Sequence, residues 1–148
     1  MIGQPYIDRI DDRLAAFHAA LQQALPTRWV EIGLVPYEDR EKEDLQAGVV
    51  NIVSNGEGDY HRGKGMAARE GIHKVLLICH LQVDEAQTRA ELQQAEIDLM
   101  EAIKSFVRTG VAGMTVVLDS VQQSRLLEHP YGWVVAFIEL HPPHTSVY

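Results

Sequence analysis

The stretch GDYHRGKGM, residues 58–66, has the frame of a phosphate-binding loop: Gly58, four residues, then Gly63 and Lys64. Such a loop cradles phosphates with backbone amides, places its lysine on the outer phosphates, and holds magnesium with the next Ser or Thr hydroxyl. Gly65 stands where that hydroxyl belongs. Only MAARE lies between Gly65 and Gly71 before a strand pattern resumes, too short for the helix whose N-terminus must face the phosphates. Gly63, Gly65 and Ala68 also fit a dinucleotide pattern with Asp84 further along, but the supporting helix and parallel βαβ unit are missing again. MTVVLD, ending at Asp119, has the texture of a magnesium-holding strand, yet apolar runs closed by an acid are common at strand ends. The glycine-rich 55–71 segment therefore reads as a long connection between two strands. The alternative is a small nucleotide- or metal-dependent enzyme that uses its 56–71 portion.

Other chemistry finds little support. His141 and His144 flank two prolines, with no Cys or carboxylate close in sequence to complete a zinc site. Cys79 and His80 are neighbours in a strand pattern, so they face opposite sides and do not share a metal. Ser54, Ser120 and Ser124 lie near strand ends, with no base placed by spacing. Paired acids such as Asp11-Asp12 and Asp84-Glu85 read as solvated helix termini. No catalytic residue, cofactor or metal is expected.

Charge is more informative. The segment 38–44 carries five acids (Glu38, Asp39, Glu41, Glu43, Asp44) and two bases, a net −3, while Arg62, Lys64, Arg69 and Lys74 against Glu70 give 61–74 a net +3. Loops of opposite sign can pair within one chain or between copies, and the second arrangement suits a head-to-tail ring.

The elements that carry these loops follow from periodicity. Ile7, Ile10, Leu14, Phe17, Leu21 and Leu25 form one helical stripe, which Pro26 stops. Strands are expected at 28–35, 49–54 and 72–83, the last apolar on both faces and so central in the sheet. A second helix runs from an Asp84 cap to a Gly110 stop, with Leu92, Leu99, Ile103 and Phe106 on its apolar face. MTVVLDS and GWVVAFIELH close the chain as two further strands. No helix separates the first three strands, so hairpins are expected between them. The sum is one α+β domain over 1–148: a two-layer sandwich of a mainly antiparallel sheet and two helices, in the order α-β-β-β-α-β-β, with long loops at about 36–48 and 55–71.

The chain has 148 residues, 46% hydrophobic, enough for one real core. The net charge of −8 argues against general nucleic-acid binding, which draws on positive charge. The single cysteine allows no internal disulfide. Neither a signal peptide nor a membrane span of ~20 apolar residues is evident, so a cytoplasmic protein without membrane contact is expected.

This order resembles the phage tail terminator, or minor tail protein U-like, family. KVLLICHLQV running into DEAQTRAELQQAEIDLMEAI, then the closing hairpin MTVVLDSVQQSRLLEHPYGWVVAFIELH, carries the likeness. It covers nearly the whole chain and rests on architecture, not on a signature motif. The resemblance implies a non-enzymatic structural protein that forms a homo-oligomeric ring, a hexamer in the family. Such a ring caps the tail tube and joins it to head–tail connector proteins. It implies cytoplasmic assembly in the host, residence in the virion tail, and DNA passing through without specific binding, to which an acidic lumen is suited. The basic 56–71 segment suits a subunit or tube contact better than a lumen that repels DNA. Another head–tail joining protein of similar fold would read the same way.

Overall fold

The computed structural model describes residue 7 and residues 9–58 and 71–142. The chain runs α1 (Ile10–Ala24), β1 (Trp29–Ile32), a 3₁₀ turn (Tyr37–Asp39), α2 (Lys42–Ala47), β2 (Val49–Gly58), β3 (Ile72–Gln82), α3 (Arg89–Thr109), β4 (Thr115–Gln123) and β5 (Tyr131–His141). The five strands form one sheet in the order β1-β2-β3-β5-β4. Among the described residues, no helix is long and apolar enough to cross a membrane.

The α+β layout with a largely antiparallel sheet is the one expected, and β3 is its central strand. Phe17 and Leu21 of α1 and Leu99, Ile103 and Phe106 of α3 pack on the face made by Val50, Ile52, Val75, Leu77, Cys79, Val134, Ala136, Ile138 and Leu140. Phe17 and Phe106 meet edge-on, ring centroids 5.4 Å apart, which locks the two long helices together.

Three expectations need correction. First, β1 and β2 are parallel, Trp29 opposite Val49 through Ile32 opposite Ile52, so they are not a hairpin. Two parallel neighbours need a crossover, and the 36–48 segment supplies one through its 3₁₀ turn and α2, a third helix that its polar composition concealed. Second, α3 starts at Thr88, not Asp84. Thr88 Oγ1 accepts from the Glu91 amide at 3.1 Å, and the Glu91 carboxylate accepts from the Thr88 amide at 3.1 Å. This reciprocal T-x-x-E capping box was legible in the sequence. Third, β2 continues beyond residue 54 to Gly58, past a register shift between Ser54 and Glu57.

Candidate assembly surface

The acidic residues sit on the crossover. Glu38 and Asp39 lie in the 3₁₀ turn, Glu41 at the N-cap position of α2, and Glu43 and Asp44 in its first turn. Carboxylates at a helix start are stabilised by its dipole, which accounts for their place. All are exposed except half-buried Asp44. The segment is pinned from beneath by Arg40, a residue the charge count treats only as one of two bases. Its Nη2 donates to Asn51 Oδ1 at 2.7 Å and to Glu31 Oε2 at 3.3 Å. Asn51 in turn donates to the Ile78 carbonyl at 2.9 Å, so the crossover is tied to β2 and β3. At the other end of α2, Gln46 donates to Asp84 Oδ1 at 2.7 Å.

Beside this staple, the Tyr37 ring lies 6.0 Å from His80 and 5.2 Å from Tyr131. Burial holds the His80 pKa below the ordinary imidazole value; the Arg40 charge lowers it further, while Glu38 works the other way. Cys79, the adjacent residue, faces the helices and is wholly buried, and burial pushes its thiol up to about 12 although the Arg28 charge opposes this. The two side chains therefore sit on opposite faces of β3, as the alternation requires.

Arg62, Lys64 and Arg69 lie outside the described residues, as do His144 and most of the glycine-rich pattern. Their attachment points are described. Gly58 ends β2, Ile72 begins β3 one residue after Gly71, and the two strands pair antiparallel. That junction joins neighbouring strands as a hairpin, whereas a phosphate loop leads from a strand into a helix. Asp119 lies in a register shift of β4 between Leu118 and Ser120 and is exposed.

Acidic and basic segments thus hang from opposite ends of one strand. The crossover ends where β2 begins and the hairpin connection begins where β2 ends, ten residues later. At ~3.3 Å per residue this separates their bases by about 30 Å. The hairpin end carries a buried ion pair of its own, Arg13 Nη1 to Glu57 Oε2 at 2.6 Å.

The other face of the sheet is turned away from α1 and α3. Register places Val53, Leu76, Phe137 and Ser120 in one row across it, and Asn51, Ile78, Val135 and Gln122 in the next. Leu76, Ile78, Val135 and Phe137 are half-buried and lie outside the helix-facing core. The crossover meets this face through Tyr37 at His80 and through Arg40 at Asn51. The expected apolar character of β3 on both faces is thus present, but only one face is packed under helices.

No protein-family model matches this chain, and a search of curated proteins finds no relative.

Proposed function

We propose that this protein is a structural component of a phage or prophage tail, a terminator or head–tail completion protein whose copies close into a ring on the tail tube. It performs no catalysis in this reading. The observation that carries it is the separation of the acidic segment from the hairpin end of β2, where the chain departs toward the basic residues, by the length of that strand. Bases about 30 Å apart disfavour pairing within one subunit, whereas a neighbour in a head-to-tail ring brings the acidic end of one copy to the basic end of the next. Partly buried apolar residues on the sheet face away from the helices, Leu76, Ile78, Val135 and Phe137, are compatible with the same reading. The net charge of −8 suits a channel along which DNA slides without being held. Tube and connector proteins are the further partners.

Native mass spectrometry of the full chain, alone and with assembled tail tubes, tests this. The expected result is a closed ring, a hexamer by the resemblance, alone or on tube contact. Reversing Arg62, Lys64 and Arg69 to Glu is expected to weaken the ring while leaving the circular dichroism spectrum unchanged. A monomer under every condition, with normal tails after deletion of the protein, overturns the proposal. Calorimetry with ATP and magnesium adds an independent check: binding abolished by Lys64→Ala makes the enzyme the better reading.

A further inference from the structure

We infer that the free edge of β4 pairs with β4 of a second copy of this chain, antiparallel about a two-fold axis at Val121. This contact is independent of the head-to-tail contact proposed above, and either can fail alone.

Strand pairing needs an edge with unpaired backbone groups. β2, β3 and β5 have neighbours on both sides, which leaves β1 and β4. The β1 edge is four residues long and is covered at Val30. The Trp29 amide donates to the Gly48 carbonyl and the Gly33 amide to the Ile52 carbonyl, so by alternation Val30 turns its amide and carbonyl away from β2. Both of those groups are taken by α1: the Val30 amide donates to Gln22 Oε1 at 3.4 Å, and His18 Nε2 lies 2.9 Å from the Val30 carbonyl oxygen.

β4 has no such cover among the described residues. The Ser124 amide donates to the Trp133 carbonyl at 3.0 Å. Alternation then turns Gln122 and Ser120 toward β5, and Val121 and Gln123 outward. The strand is nine residues long, with one charged residue, no Lys and no Pro. Edges that must stay single are guarded by those residues or kept short; here only Asp119 and the register shift beside it interrupt the edge. Of the two described edge strands β4 is the longer, nine residues against four, and the one without a helix across it, so a second copy answers it best with its own β4, a two-fold symmetric contact.

Charge selects the register. Full overlap of the two strands sets Asp119 opposite itself, a like-charge pair that destabilises. A shift centred on Val121 sets Asp119 opposite Gln123 of the second copy and diagonal to its Arg125. Asp119 and Arg125 are both exposed, and neither has an ion-pair partner among the described residues. The same shift runs the second copy's Val117 toward an open groove of about 630 Å³ lined by Gln122, Ser124, Arg125, Leu127 and Trp133. Leu127, 82% exposed, is the most exposed large apolar side chain described.

Sedimentation and cross-linking of the full chain test this. Val121→Cys is expected to give a symmetrical disulfide, because directly opposed residues have Cα atoms about 5.5 Å apart, within disulfide reach; this reads the β4 contact whatever larger assembly forms. Val121→Pro is expected to abolish the contact and keep the fold, since the amide it removes faces outward. Asp119→Arg or Arg125→Asp alone is expected to weaken association about tenfold, and the double reversal to restore it. The inference is overturned if Val121→Cys gives no disulfide at a concentration of about 100 µM, or if the double reversal associates no better than the single ones.

Discussion

The carboxylate of Glu96, near the middle of α3, accepts the backbone amide of Trp133 on β5 at 3.2 Å. The same Oε2 accepts the Ser124 hydroxyl, and Oε1 accepts the Gln123 side-chain amide at 3.1 Å. A fully buried carboxylate thereby satisfies three donors around the last turn of the hairpin. Gly132 makes this approach possible, for a Cβ there would fall on Glu96 Oε2 and 2.8 Å from Leu92 Cδ1.

Removing the carboxylate strands those donors. Glu96→Ala is expected to cost about 3 kcal/mol, which for a chain of this size lowers Tm by about 10 °C. Glu96→Gln retains an acceptor for Trp133 and Ser124, and the Gln123 amide can turn to match, so its loss is expected to be smaller. Gly132→Ala is expected to rival Glu96→Ala, because the neighbours it meets include a helix-anchored leucine. Thermal melts of the three variants check the ranking.

Arg13 and Glu57 form the second buried polar link, at the hairpin end of the sheet. Arg13 Nε also donates to the Ile7 carbonyl at 2.9 Å, so α1 is fastened to its own N-terminal approach and to β2 by one side chain. Breaking a buried pair on one side takes a charge-assisted contact from a desolvated partner. Arg13→Met is expected to cost about 3–5 kcal/mol, and Arg13→Met with Glu57→Leu to recover most of that loss. Urea midpoints at constant m-value measure both.

These links show why part of the molecule was legible in its sequence and part was not. The stripe of Phe17 and Leu21, the two-sided apolar run of β3 and the Gly110 stop follow from local periodicity and backbone preference, and each recurs in the fold. The T-x-x-E box at Thr88 was equally local. The parallel pairing of β1 with β2 was not, because it depends on where a polar crossover lies, and α2 is six residues with one buried side chain, Leu45. Arg40, Asn51, Glu96 and Arg13 escape a one-dimensional reading for a related reason. A charged residue in a polar run or on a helix looks solvated until its partner, distant in sequence, is known. The separation of the acidic segment from the hairpin end of β2 is likewise a property of strand length and pairing.

Arg40 offers a test of how firmly the acidic segment is held. Its side chain is only 7% exposed, although five of its six neighbours from Glu38 to Asp44 are acids drawn toward solvent. Arg40→Ala is expected to cost about 1–3 kcal/mol by leaving Asn51 Oδ1 without its donor. Amide exchange across 37–48 should quicken well before global unfolding. If the proposed ring uses this segment, Arg40→Ala also weakens assembly without touching any exposed acid. Unchanged exchange in this variant would show that the other contacts of the crossover, Tyr37, Leu45 and Gln46–Asp84, hold it without Arg40.

Acid should loosen the protein before its carboxylates titrate, because of two histidines. His73 is wholly buried and its Nε2 lies 2.8 Å from Ser54 Oγ. Burial holds its pKa below the ordinary value and the Arg13 charge adds to this, with Glu57 opposing. His80 is lowered by burial and by Arg40, with Glu38 opposing. In both cases the unfolded chain takes up a proton at a pH where the folded one does not. Stability is therefore complete above the unfolded imidazole value of about 6.5, and it declines as pH falls from there toward the depressed folded values. His73→Gln retains a hydrogen-bonding partner for Ser54 and carries no titrating group. Its urea midpoint is expected to fall less between pH 7 and pH 5 than that of the parent chain, as is that of His80→Gln, with the double variant flattest. Equal slopes in all four proteins would mean that neither ring loses protons on folding.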